Sequence, residues 1–208
     1  MGDEAPKFKV VFVGDTTVGK TSIIQKYLNI NQTITSTLGA TSTRIDANFN
    51  DFDMIMNVWD TAGQDSFRNL VPVYAKGSHA VVIVFDVSNK STYDHLNDWY
   101  NYLTQHVQHF KCVVVANKID KNCEINFEDA YSWASEHNAE LIKTSAVDGT
   151  NIEAVFETIS KLLYERFHEK NDVETTEKGE EKKEKEPDAT KEVDINQKEK
   201  EKKGGCSC

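Results

Sequence analysis

An α/β fold is what this sequence predicts: a mainly parallel sheet of about six strands, helices on both faces and one antiparallel edge strand. Strand-like and helix-like stretches alternate over residues 1–169 of the 208, which implies right-handed crossovers between parallel strands. Several strand-like runs are apolar throughout rather than alternating, as strands buried on both faces are. The residues with the most chemistry to offer, Gly14, Asp60, Asn117 and Ser145, all stand where such runs end, the edge at which open α/β sheets hold ligands.

The first apolar run, 7–13, leads through Gly14-Asp15-Thr16-Thr17-Val18-Gly19-Lys20-Thr21 into a helix-like stretch at 21–28. Residues 41–49 alternate in polarity and, with the turn-rich Asn48-Phe49-Asn50-Asp51, read as an edge strand in a hairpin with the strand 52–59. A helical pattern at about 67–76, a strand at 80–87, a helix at 92–107, a strand at 112–117, a helix at 127–137 and a strand at 140–144 follow. The last helix, 152–167, opens on Asn151 as N-cap and gathers Ile152, Val155, Phe156, Ile159, Leu162 and Leu163 on one face. Past about Lys170 the composition changes, and 175–203 is dominated by Glu and Lys, with Val193 and Ile195 as its only sizeable apolar residues. So little apolar surface does not repay ordering, and 170–208 is expected to be a disordered tail, with a transient Glu/Lys-paired helix as the structural alternative.

A formal net charge of −10 excludes a nucleic-acid surface as the main business, since that needs clustered Lys and Arg. No apolar run approaches the roughly 20 residues of a membrane span, and residues 1–6 lack a secretory apolar core. Pro6 stands where a myristoylation signal needs Ser or Thr. A cytoplasmic protein is expected. Cys112, Cys123, Cys206 and Cys208 are spaced for neither a disulfide framework nor zinc, and Cys112 reads as core.

The loop at 14–21 has the G-x-x-x-x-G-K-[ST] form. After a strand it must turn tightly enough for backbone N–H groups to point at phosphate oxygens, which Gly14 and Gly19 permit. Lys20 brings positive charge, Thr21 offers a hydroxyl to a phosphate-bridging Mg²⁺, and the helix N-terminus faces the same anion. Asp60, ending its strand, can hold a Mg²⁺-bound water; Gly63 can offer its N–H to a terminal phosphate; Gln64 can orient an attacking water. Asn117-Lys118-Ile119-Asp120 selects the base. The Asp120 carboxylate can accept from the adjacent ring N–H and amine of guanine, a donor pair adenine lacks, and such sites reject the mismatched ligand by roughly 10⁴ to 10⁵. Lys118 can lay its stem over the base, and Ser145-Ala146 can present backbone N–H to the guanine oxygen.

These motifs, with Thr37-Leu38-Gly39 and Thr144-Ser145-Ala146, run in order across about 7–168. They resemble the small GTPases of the Ras superfamily, whose G domain is a P-loop NTPase fold. Trp59 before Asp60-Thr61-Ala62-Gly63-Gln64, Phe67-Arg68, Tyr74, Trp99 and the terminal Cys-x-Cys are similar to Rab proteins. The resemblance implies a switch that binds GTP and GDP, slowly hydrolyses GTP to GDP and phosphate, and recruits effectors in vesicle traffic. It implies nucleotide binding by Asp15, Thr16, Thr17, Val18, Gly19, Lys20, Thr21 and Ser22, then by Thr37 and Gly63, and at the base by Asn117, Lys118, Asp120, Ser145, Ala146 and Val147. Mg²⁺ would lie on Thr21, Thr37 and Asp60, and Gln64 and Lys20 would be the catalytic pair. Implied partners are effectors, an exchange factor, an activating protein, a dissociation inhibitor and an escort protein, all reading the switch regions. With no arginine finger assignable in cis, turnover would depend on an activating protein.

Gly204-Gly205-Cys206-Ser207-Cys208 resembles the doubly geranylgeranylated Rab terminus, which implies reversible attachment to the cytoplasmic face of intracellular membranes. Leu70-Val71-Pro72-Val73-Tyr74 resembles the corresponding stretch of endosomal Rab proteins, which implies an endosomal membrane. Four departures from the family pattern stand out. Thr16 and Thr17 are bulky for the variable part of the loop and are expected to crowd the γ-phosphate; switch I is about two residues short. Ile30 replaces an aromatic at the guanine edge, and Val147 replaces a lysine. Thr16 and Ile30 motivate a second reading, a membrane scaffold that binds nucleotide but hydrolyses it poorly or exchanges it fast. A third, an unrelated P-loop ATPase, is disfavoured by Asp120.

Overall fold

The computed structural model describes residues 4–30, 37, 39–63 and 69–180, with side chains as far as 169. Leu38, Gln64, Phe67, Arg68, Cys206 and Cys208 lie outside the described residues. Six strands form one sheet: β1 Lys7–Val13, β2 Ala40–Phe49, β3 Phe52–Thr61, β4 Ala80–Asp86, β5 Lys111–Asn117 and β6 Ala139–Thr144, in the order β2-β3-β1-β4-β5-β6. β2 pairs antiparallel with β3, and every other pairing is parallel. The edge hairpin turns through Asn50 (φ 50°) and Asp51 (φ 60°), the two left-handed residues that a type I′ turn requires.

Among the described residues six helices connect and cover the sheet: α1 Lys20–Tyr27, α2 Val71–Ala75, α3 Lys90–Asp94, α4 Leu96–Thr104, α5 Phe127–Glu136 and α6 Ile152–Glu180. Period-two alternation along β1 divides the core. Phe8, Val10 and Phe12 join Ile23 and Ile24 of α1 and Val155, Phe156 and Ile159 of α6. Val11 and Val13 face the other way, onto Val71 of α2 and Leu96, Trp99 and Leu103 of α4. Both faces of β4 and β5 are therefore dry, as their uninterrupted apolar runs demand.

The boundaries differ from the sequence expectation in places that matter. β3 runs on to Thr61, so Asp60 and Thr61 are held in the ladder rather than in a loop. The helix expected over 92–107 begins earlier, capped by Asn89, whose side chain accepts from the Ser91 N–H at 3.2 Å. It divides at His95, although the bonds from His95 N to Ser91 O (3.1 Å) and from Trp99 N to His95 O (3.0 Å) carry it across the break. α2 spans only Val71–Ala75, with Pro72 in its first turn, where no N–H is missed. α6 continues past the apolar stripe that predicted it, as far as Glu180. Residues up to Lys170 make up one unit, and a second begins at Asn171.

Candidate functional site

The β1–α1 turn lies at the topological switch point of the sheet, where the chain leaves β1 toward β2 and β3 on one side and β4 lies on the other. Gly19 precedes α1 with φ 103°, and any Cβ there would run into the Asn117 amide. Loop and base corner thus meet at a residue that must be glycine. Asn117, 1% exposed, donates from Nδ2 to Val18 O (2.8 Å), while its Oδ1 accepts from Thr144 Oγ1 (3.1 Å) and the Ala146 N–H (3.3 Å). Both ends of its amide bond to protein, so it ties the phosphate loop, β5 and the loop after β6 together. The Ala146 N–H, expected to face a guanine oxygen, is directed at Asn117 instead.

Lys20 is 5% exposed and donates to Gly14 O (2.8 Å) and Asp15 O (2.7 Å). Burial pushes its ammonium down to about 8 against the opposing pull of Asp60 and Asp15. Across the cleft, Thr21 Oγ1 donates to Asp60 Oδ2 (2.6 Å), and Thr37 Oγ1 reaches the same oxygen at 3.3 Å and the Thr21 hydroxyl at 3.1 Å. The other Asp60 oxygen, Oδ1, is buried without a hydrogen-bond partner among the described residues. Burial raises the Asp60 carboxyl above the usual range, partly offset by Thr21, Lys20 and Thr37. One under-satisfied carboxylate beside two hydroxyls is a hard, oxygen-only donor set, which suits Mg²⁺ with water and phosphate completing it. The residues expected to hold that ion are together and fit it.

At the base end Asp120 Oδ1 accepts from Ser145 Oγ (2.6 Å), which orients the carboxylate and leaves lone pairs for a ligand. Lys118 (φ 69°) lines the cleft with its stem while its Nζ donates to Asp86 Oδ2 at 2.6 Å. Burial works to raise the Asp86 carboxyl, but the bonds from Lys118 and Ser88 outweigh it and hold it below its usual range. Lys26 Nζ donates to Val147 O (3.1 Å), bracing the 145–149 loop from α1.

These groups line one continuous cleft of about 540 Å³, within the range of small-ligand sites. Thr16, Thr17, Gly19, Lys20, Thr21, Ser22, Thr37 and Gly63 wall one end, and Asn117, Lys118, Asp120, Ala146 and Val147 the other. Asp15, Val18 and Ser145 act from behind the wall. Val18 is fully buried, Ser145 supports Asp120, and the Asp15 carboxylate faces α4. Ile30, 38% exposed, is not among the lining residues. Sequence reasoning missed Lys121 and Thr61 on the wall. It also missed Asp86, whose position at the end of an apolar strand was the available signal. Thr17 has φ 61°, a strained conformation for a β-branched residue.

A parallel sheet with a lysine-bearing phosphate loop at its switch point and an acidic base corner beside it defines a P-loop GTPase. A Ras family model matches residues 9–165. Ras-related protein Rab-7b of Paramecium octaurelia is 34% identical over 164 residues, covering 74% of this chain and 80% of that protein. Ras-related protein Rab7 of Drosophila melanogaster is 32% identical over 173 residues (79% and 84%), and Ras-related protein Rab-26 of Homo sapiens is 31% identical over 165 (76% and 64%). The chain belongs to the Ras family, as a small GTPase of the Rab type. It is a GTP-hydrolysing switch of membrane traffic, and the scaffold reading is not favoured.

Proposed function

We propose that the cleft binds GTP or GDP with the purine against Asp120 and Lys118 and the phosphates against the 15–22 loop. The observation that carries this is the continuity of the cleft from Lys20 to Asp120. The nucleotide would accept backbone N–H groups of the loop and the Lys20 ammonium, and Val147 would pack on the base. Thr21, Thr37 and Asp60 would hold Mg²⁺, whose chemistry is to neutralise charge on the β- and γ-phosphate oxygens. Lys20, already desolvated, needs no further solvent reorganisation to stabilise charge that develops on those oxygens.

Hydrolysis breaks the bond between the γ-phosphorus and its bridging oxygen as water attacks in line; Gln64 is proposed to orient that water. A cationic finger from an activating protein is worth about 10³ to 10⁵ in rate in Ras and its kin, and the chain is proposed to depend on one. Single-turnover hydrolysis of γ-labelled GTP tests this: phosphate release should be slow, accelerate with an activating fraction and vanish in Gln64→Leu. No release above background under either condition contradicts the catalytic assignment.

Loss of the γ-phosphate would release the segments around Thr37 and Gly63, and effectors and regulators would read those segments, the β2–β3 hairpin and Tyr74. Residues 1–169 are read as the G domain and 170–208 as a tail prenylated at Cys206 and Cys208. Two lipid chains, at about 0.8 kcal/mol per buried methylene, anchor stably where one is marginal. The 70–74 stretch and the similarity to Rab7 proteins support the cytoplasmic face of an endosomal membrane as the destination. Cys206→Ser/Cys208→Ser should stay in the aqueous phase of a detergent partition after geranylgeranyl transfer.

A further inference from the structure

The nucleotide reading assigns Asp15 only a place in the loop backbone, yet its side chain makes two long-range polar contacts. Its Oδ1 accepts from Trp99 Nε1 at 2.8 Å, and its Oδ2 pairs with His95 Nδ1 at 2.7 Å. Both partners flank or lie within the first turn of α4, and they are 84 and 80 residues distant in the chain. Trp99 is 3% exposed, and Leu96 and Leu103 on the same helix are buried too, so α4 is a rigid support. Both carboxylate oxygens are therefore held, and held from a helix that does not touch the cleft.

The peptide on the other side of the same residue does two jobs. Its carbonyl accepts the Lys20 ammonium at 2.7 Å. A Cβ placed on Gly63 would strike that same carbonyl, so the start of the second switch segment packs on it directly. A charge-assisted pair of bonds fixes direction as well as distance, and a side chain fixed at both oxygens leaves its own carbonyl little freedom. We propose that the Asp15 side chain is a positioning residue that clamps the phosphate loop to His95 and Trp99 and thereby aims the Lys20 ammonium at the phosphates and seats Gly63. The inference rests on the cleft's being a guanine-nucleotide site. It extends that site to α4, none of whose residues lines the cleft.

The test uses the full chain, nucleotide-stripped and loaded with GDP, with two readouts. One is the dissociation rate of a fluorescent GDP; the other is the ³¹P resonance of bound GDP. Asp15→Ala should release GDP about tenfold faster and move the β-phosphorus resonance while leaving the α-phosphorus in place. Asp15→Asn should recover part of both, because its amide oxygen still accepts from Trp99. His95→Asn, at a half-exposed position, should shift both readouts the same way by less, and it carries the test if Asp15→Ala does not fold. A purely structural clamp would lower the melting temperature yet leave release rate and β-phosphorus unchanged; that result, in protein that binds GDP saturably, overturns the proposal. Failure of the unaltered chain to bind GDP at all would instead overturn the nucleotide reading beneath it.

Discussion

Lys20 illustrates how the site is charged before any ligand arrives. In water its ammonium would titrate near 10.5; in the cleft burial brings it to about 8. A depressed lysine means that the unfolded chain binds more protons between those values, so stability of the nucleotide-free protein should rise with pH from about 8 toward 10.5. A phosphate anion would restore the proton. Calorimetry of GDP binding at pH 8.5 in buffers of different ionisation enthalpy should therefore report proton uptake, and equal heats in every buffer would contradict it. Asn117 makes a second case: its amide donates to Val18 O and accepts from β6 and the loop beyond it. Asn117→Asp removes the donor and faces a carboxylate to a carbonyl, and urea unfolding of the nucleotide-free form should show a loss of about 1–3 kcal/mol. Thr17 is the reverse. Its φ of 61° suits glycine, so Thr17→Gly should stabilise the empty protein by about 1 kcal/mol in the same assay.

Whole elements explain why these residues converge. β3 and β5 end at different chemistry, Asp60 and Asn117, but parallel pairing through β1 and β4 brings both ends to one edge. α6 supports that edge from below: Phe156 stacks on Tyr27 of α1 at 3.8 Å and against Phe12 of β1 at 6.0 Å. Phe156→Ala should cost about 3–5 kcal/mol, seen as a lowered unfolding midpoint with unchanged denaturant slope. The strands, the hairpin and the phosphate loop were legible in the sequence because each is specified locally, by an apolar run, a turn pair or a spaced motif. The break at His95 and the extent of β3 were not legible, since pairing with β1 and β2 decides where β3 stops. Nor was the Asp15 clamp, whose partners lie 80 and 84 residues away. Lys121 could have been suspected: its N–H bonds back to Lys118 O at 2.9 Å, the tight turn that returns its side chain to the cleft.

At the scale of the whole molecule, a chain of net charge −10 brings Lys20, Lys118 and Lys121 to the wall of one cleft, where the buried Lys20 ammonium is the charge offered to an anion. Among the described residues no helix is long and apolar enough to cross a membrane. The G domain would then carry the switch and the tail the address. Every part of that account depends on a guanine nucleotide spanning Lys20 to Asp120. Titrating the nucleotide-stripped chain with a fluorescent GDP in the presence of Mg²⁺ tests it most directly. Saturable binding displaced by GTP and untouched by a hundredfold excess of ATP is the predicted result; a flat titration of folded protein, or displacement by ATP as effective as by GTP, would contradict it.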